Sequence, residues 1–280
     1  MTEAYLDTNA VRDLFRHGTD REAQLRAGLA LGVREGRLRV LTSLHALQEL
    51  CSIAKDDWAQ FRLVAEYVFD IAGPAVLQET GALADSEVRL GRPLRADERF
   101  VAAKTIQELR RACEGKTVVL RLSVQAGEHA RASAERNRQL RADAWKALGE
   151  AGAEDPRVAV DDWAAQLHKR IPEWTRDELR ERFAQLGLTG ADEYPLENVP
   201  TLLNFWSFYM ARISLQAGQQ KRRIEVSDDA DVHHFALACH ADVFVSCDGT
   251  VKAACAALPN AVQPICMEEF ARRFLGMDMD

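Results

Sequence analysis

Four acidic side chains, two near each end of the chain, could together bind divalent cations. Asp7 follows a short apolar run, and Asp248 follows another such run near the end of the chain. Glu49 lies in a helical pattern after the second apolar run, and Asp231 lies in the first turn of a late helix. Clustered carboxylates repel each other unless a cation neutralises them. Such oxygen ligands suit Mg²⁺ or Mn²⁺, and two of these ions can promote phosphodiester hydrolysis.

Each acid also has an ordinary structural explanation. Asp7 stands where a helix begins, and its side chain could accept a backbone N–H group as a cap. Asp248 precedes Gly249, which is typical of a turn. Glu49 could be a solvated residue on the surface of its helix. The functional interpretation therefore depends on whether the fold brings the four acids together.

The first seventy residues have the pattern of an α/β fold. Short apolar runs predict strands over 3–7 and 37–43, and helices are predicted over 10–15 and 20–34 between them. A long helical stretch follows from Ser43, which is a suitable N-cap.

The end of the chain returns to this pattern. It predicts a helix over 228–240, a strand over 242–246, a helix over 250–257, a strand over 262–265 and a final helix. In a parallel sheet, ligands bind at the carboxyl ends of the strands, so Asp7 and Asp248 are expected at the same edge.

The middle of the chain, residues 76–223, is predicted to be a helical insertion into a domain formed by 1–75 and 224–280. Thr175, followed by Glu178, has the pattern of a capping box and predicts the start of a helix. A strongly apolar helix is predicted to end at Gly218. The run over 117–124 fits either a strand or a buried helix.

Composition narrows the class of protein. The chain has 280 residues and a net charge of −7, which argues against a generic basic protein that coats nucleic acid. We expect neither a membrane span nor a signal peptide. The six cysteines include no CxxC pair, which favours reduced thiols in a cytoplasmic protein and argues against a zinc site.

Four motifs resemble those of the PIN-domain family of metal-dependent nucleases. They are YLDTN at 5–9, SLHALQEL at 43–50, DADVHHFALACHADVFVSCD at 229–248 and PICMEEFARRFL at 264–275. The resemblance implies a Rossmann-like three-layer α/β/α sandwich with a parallel sheet, here with a large helical insertion. It also implies metal-dependent endonucleolytic cleavage of single-stranded RNA, which leaves a 5′-phosphate and a 3′-hydroxyl.

The resemblance also implies roles for individual residues. The metal ligands and catalytic acids would be Asp7, Glu49, Asp231 and Asp248. Supporting roles would fall to Thr8, Asn9, Ser246 and Asp228. Asp228 or Asp229 could replace Asp231 as the ligand, and His234 is a lesser candidate on the same side as Asp231.

The expected partners follow from this interpretation. RNA is the expected substrate, DNA being an alternative, and Lys221, Arg222 and Arg223 are candidates for phosphate contacts or for a solvated basic helix end. The insertion could shape the substrate channel, bind an inhibitor protein or mediate self-association. The protein could act as a toxin or defence effector. Alternatives are a DNA- or structure-specific nuclease with the same acids and a catalytically silent scaffold that binds RNA or protein.

Overall fold

A four-stranded parallel sheet forms the centre of the protein. The computed structural model describes residues 1–125, 156–218, 227–256, 258 and 262–277, with a few isolated positions between 127 and 139. The strands run in the order β3-β2-β1-β4, and every strand pair is parallel. The predicted α/β class with a parallel sheet is therefore confirmed. The strands are β1 (Thr2–Leu6), β2 (Leu38–Ser43), β3 (Val76–Leu77) and β4 (Val243–Val245).

Helices precede and follow these strands. In the first half of the chain they are α1 (Thr8–Asp13), α2 (Asp20–Arg34), α3 (Leu44–Leu50), α4 (Ile53–Asp56), α5 (Trp58–Ala72), α6 (Thr80–Leu90), α7 (Ala103–Ala112) and α8, which is helical over 116–125. In the second half they are α9 (Pro156–Leu186), α10 (Pro200–Gly218), α11 (Ser227–Ala238), α12 (Gly249–Ala256) and α13 (Met267–Phe270). A π-helical turn over Ala271–Leu275 continues α13.

Helices cover both faces of the sheet. Because successive side chains of a strand point to opposite faces, neighbouring residues of β1 pack against different sets of helices. Ala4 and Leu6 of β1 pack in one hydrophobic cluster with α1, α2, α3 and α5. Tyr5, between them in sequence, packs in a second cluster with α6, α10, α11 and α12. The site-bearing helices α3 and α11 are therefore anchored to the sheet.

Two predicted elements outside the insertion differ from those observed. The predicted strand over 262–265 is reduced to a single parallel bridge between Ile265 and Val245. The long helical stretch predicted from Ser43 is interrupted twice and forms α3, α4 and α5. The second break has a local cause, since the Asp57 side chain accepts a hydrogen bond from the Gln60 backbone and caps α5.

Several elements of the predicted insertion are built into the core around the sheet. β3 pairs with β2, and Phe208 and Tyr209 of α10 pack in the same cluster as Tyr5. The run over 117–124 is helical. The predicted helix start at Thr175 is wrong, because α9 already includes this residue, and the buried Thr175 hydroxyl donates to the Ile171 carbonyl. The division of the chain into domains stays a prediction.

No helix in the part of the chain described here is both long enough and apolar enough to span a membrane.

Candidate functional site

Asp7 lies directly after β1 and has two structural roles. Its backbone N–H donates to the carbonyl of Val245 at the end of β4, which fixes it at the carboxyl edge of the sheet. Its Oδ1 accepts a hydrogen bond of 2.6 Å from the backbone of Ala10 and caps α1. The residue is only 2% exposed. Asp7 therefore caps α1 and also lies at the carboxyl edge of the sheet.

The surroundings of Asp7 are those of a buried acid beside polar partners. Burial raises the pKa of Asp7, and this effect is opposed by the charge of His234 and by a hydrogen bond from Ser246. The negative charge of Glu49 raises the pKa further. Ser246, which follows β4, is fully buried. Asp7, Ser246, Glu49 and His234 thus share one neighbourhood at the ends of β1 and β4.

Glu49 on α3 is held by two hydrogen bonds to its Oε2 atom. The hydroxyl of Thr8 donates to it at 2.5 Å, and Nε2 of His234 lies 2.6 Å away. Burial acts to raise the pKa of Glu49, but the charges of His234 and His45 and the hydrogen bonds from His234 and Thr8 lower it to about 2. Conversely, burial acts to lower the pKa of His234, and the charge and hydrogen bond of Glu49 raise it. Each side chain therefore favours the charged form of the other.

A buried chain of hydrogen bonds orients His234. Its Nδ1 lies 2.6 Å from the hydroxyl of Tyr5, and that hydroxyl lies 3.0 Å from Oγ of Ser43. The Ser43 oxygen also accepts the backbone N–H of Ala46 and caps α3, as the sequence predicts. Burial raises the pKa of Tyr5, so the phenol stays protonated and can donate to Ser43. Nδ1 of His234 thus shares a hydrogen bond with the Tyr5 hydroxyl, and Nε2 faces Glu49.

Asp231 on α11 forms a buried ion pair with Arg212 on α10. Nη2 of Arg212 lies 3.2 Å from Oδ2 of Asp231. Burial raises the pKa of Asp231 to about 7, Arg212 opposes this, and the charges of Asp248 and Glu49 raise it further. Asp248 is half-buried, and its Oδ1 accepts the backbone N–H groups of Thr250 and Val251 at the start of α12. The charges of Asp231 and Asp248 are thus close enough to interact.

A histidine from α3 adds a further possible ligand. Ligand atoms of His45, Glu49 and His234 all lie within 4.8 Å of one another. Among the described residues, no other three His, Cys, Asp or Glu side chains form such a group, and the four predicted acids do not form one. The four acids surround the same region, but the tightest potential ligand set combines one of them with two histidines.

Other predicted residues lie at the margin or beyond the described chain. Thr8 is buried and contacts Glu49, whereas Asn9 is exposed. The side chains of Asp228 and Asp229, together with Lys221, Arg222 and Arg223, lie outside the described residues.

A groove opens beside the site on the side of Asn9. It has a volume of about 650 Å³ and is lined by Asn9 and by the basic side chains Arg12, Arg16 and Lys55. Acidic side chains, among them Asp13 and Asp56, line it as well. Arg12 connects the groove to the site, since it donates to the Glu49 carbonyl and to the Ser52 hydroxyl.

Sequence reasoning missed three contributors: His45, Arg212 and Tyr5. His45 precedes Glu49 by four residues, a spacing that places both on one face of a helix. Arg212 is a charged residue within a strongly apolar helix, which is a signal for a buried partner. Tyr5 gave no such signal, because aromatic residues are common in buried strands.

Comparisons with family models, with curated proteins and with solved structures find no significant match to this chain.

Proposed function

We propose that this protein is a PIN-like, metal-dependent nuclease that hydrolyses phosphodiester bonds of single-stranded RNA. The observation that supports this best is the convergence of acids from distant parts of the sequence. Asp7 and Asp248 follow neighbouring parallel strands, and the charges of Glu49 and Asp231 act on the same buried region. This edge of a parallel sheet is where α/β proteins bind ligands.

The residues of the site fit a hard divalent cation. Burial raises the pKa values of Asp7 and Asp231, and a nearby cation would favour the ionised form of both. Asp7, Glu49, Asp231 and Asp248 would hold Mg²⁺ or Mn²⁺ through carboxylate oxygens. When bound, the cation would activate a water molecule and stabilise the leaving oxygen.

The protein's own groups then position the reaction. Thr8 holds the carboxylate of Glu49, and the Ser246 hydroxyl holds that of Asp7. Nε2 of His234 can carry a proton at the site, because Tyr5 fixes the other ring nitrogen. In the overall hydrolysis, water oxygen joins phosphorus, the bond to the 3′ oxygen breaks, and that oxygen gains a proton.

The adjoining groove could hold the RNA strand, whose phosphates would contact the basic side chains Arg12, Arg16 and Lys55.

One observation favours a competing function without hydrolysis. Two of the four acids already have basic partners, since Arg212 pairs with Asp231 and His234 pairs with Glu49. A site neutralised in this way could bind RNA or protein as a catalytically silent scaffold. The two functions differ in whether strands are cut.

Cleavage of labelled single-stranded RNA with Mg²⁺ or Mn²⁺ tests the proposal, with single-stranded DNA of the same sequence beside it. We expect metal-dependent cutting of RNA that Asp7→Asn and Asp248→Asn each abolish. Asp242→Asn is the matched control, because Asp242 is exposed and bonds to the Glu3 backbone outside the site. Cutting of DNA alone would favour the DNA nuclease, and folded protein that binds RNA without cutting it would favour the scaffold.

A further inference from the structure

We infer that His45, Glu49 and His234 form a binding site for a first-row transition-metal ion with nitrogen ligands, such as Zn²⁺, Co²⁺ or Fe²⁺. The site shares Glu49 with the proposed nuclease site but rests on its own geometry and does not require cleavage of RNA. It differs from the all-oxygen Mg²⁺ or Mn²⁺ site in its ligands and therefore in the ions that it selects.

The first support is the placement of the three ligands on rigid elements. His45 and Glu49 are four residues apart on α3, so both project from one face of that helix. His234 reaches the same point from α11, and its side chain is buried. Their ligand atoms all lie within 4.8 Å of one another. Two atoms bound to one ion by bonds of about 2 Å lie at most about 4 Å apart, so a small side-chain rotation would bring all three ligands onto the ion.

The second support is the hydrogen bonding of His234. A metal-binding histidine usually donates its other ring N–H to a fixed acceptor, which sets the tautomer and the ring orientation. Here Nδ1 of His234 lies 2.6 Å from the hydroxyl of Tyr5, which is itself held by Ser43. Nε2 is left facing Oε2 of Glu49 at 2.6 Å. These contacts hold Nε2 and Oε2 at one point, and an ion that binds there would replace the proton between them, which is released to solvent.

The ligand set indicates the class of ion. Imidazole suits zinc, iron, copper and nickel, whereas magnesium prefers carboxylate, carbonyl and water oxygens. Two histidines and one carboxylate also occur in catalytic metal sites, where three protein ligands leave a position open for water or substrate. We therefore expect Co²⁺ and Zn²⁺ to bind here and Mg²⁺ to compete poorly.

The test is titration of the metal-free protein with Co²⁺, followed by the visible absorption of the bound ion, and then displacement by Zn²⁺ or Mg²⁺. His45→Ala removes one ligand, and we expect it to weaken Co²⁺ binding at least as much as the ten- to hundredfold loss typical of a lost second-shell partner. His233→Ala is the matched control. The His233 ring lies beside that of His45 in a tilted arrangement, with ring centroids 4.9 Å apart, but His233 is not in the ligand group.

Co²⁺ binding that is weakened by His45→Ala, retained in His233→Ala and displaced by Zn²⁺ but not by equal Mg²⁺ would support the site. Absence of Co²⁺ binding, or equal binding by all three proteins, would overturn it. Circular dichroism checks that each variant is folded, and His45→Gln replaces the alanine variant if that one unfolds.

The two proposals can fail separately. Co²⁺ binding that depends on His45 in a protein that cuts no RNA would contradict the nuclease proposal and support the histidine site. RNA cutting that requires Mg²⁺ and Asp7, without any Co²⁺ spectrum, would support the nuclease proposal and overturn the histidine site.

Discussion

Arg212 and Asp231 form an ion pair inside the protein: their side chains are 3% and 11% exposed, and Nη2 lies 3.2 Å from Oδ2. This pair joins α10, which belongs to the predicted insertion, to α11, which carries part of the predicted motif at 229–248. The guanidinium opposes the upward effect of burial on the pKa of Asp231. Arg212 therefore links the folding of the insertion to the charge of the candidate site.

Arg212→Met should destabilise the protein, because it leaves a buried carboxylate without its cation. We expect a loss of about 3 kcal/mol in the free energy of unfolding at pH 8. The loss should shrink towards pH 5, since the pKa of Asp231 is raised and a protonated Asp231 no longer needs a cation. Urea unfolding at both pH values measures the effect.

The control for this variant is the double mutant Arg212→Met/Asp231→Asn, which removes both charges. It should recover part of the stability at pH 8, as a double-mutant cycle requires for a direct interaction. Equal losses in the single and double mutants, with no dependence on pH, would mean that the pair carries no stabilising interaction.

The two roles of Asp7 can be separated by comparing Asp7→Asn with Asp7→Ala. Asparagine keeps an oxygen that can accept the Ala10 N–H, so α1 keeps its cap. Alanine removes the cap and should lower the free energy of unfolding by about 1 kcal/mol. Both variants remove the carboxylate and should stop RNA cleavage. Thermal unfolding beside the cleavage assay measures both effects, and cleavage by either variant would exclude Asp7 from the site.

Tyr5→Phe tests how far the orientation of His234 matters. The ring fills the same space in the core, but the hydroxyl that contacts Nδ1 of His234 is lost. We expect Co²⁺ affinity to fall about ten- to hundredfold while the protein stays folded. A Co²⁺ titration of the variant measures this. Unchanged affinity would show that the ring is oriented by packing alone.

The sequence predicted the parallel sheet well, because apolar runs that alternate with helical patterns are a local signal. It did not predict β3, since two residues, Val76 and Leu77, give no recognisable pattern. The helical pattern after Ser43 predicted one long helix, although Asp57, a good N-cap, marks the start of a new helix there. The polar residues in that stretch could have placed this break.

The candidate site was only partly predictable for a different reason. The acids stand in motifs and could be found one segment at a time. The contacts of Arg212 with Asp231 and of His234 with Glu49 join separate helices, and no periodicity within one segment reports them. From the sequence, His234 is only a lesser candidate, because a histidine on a buried helix usually packs in the core without a functional role. Only the tertiary structure places it between Tyr5 and Glu49.

A second buried polar cluster predicts how stability depends on pH. Glu87 on α6 is fully buried, and its Oε1 lies 2.8 Å from the hydroxyl of Thr201, which lies 2.8 Å from Nε2 of His240. Burial raises the pKa of Glu87 to about 7, against the opposing hydrogen bonds of Thr201. Burial and the charge of Arg99 lower the pKa of His240 to about 4, so the imidazole is neutral at pH 7.

Because the folded-state pKa of Glu87 lies above its unfolded value, its contribution to stability is complete below about pH 4 and is lost as the pH rises through 7. Glu87→Gln keeps the shape and an acceptor for Thr201 but cannot ionise. We expect the variant to exceed the wild type in free energy of unfolding by on the order of 2 kcal/mol at pH 8.5, with little difference at pH 5. Urea unfolding across this range measures it, with Glu66→Gln on the exposed side of α5 as the control. A difference between wild type and Glu87→Gln that does not change with pH would show that Glu87 stays ionised throughout, with His240 or Thr201 stabilising the charge.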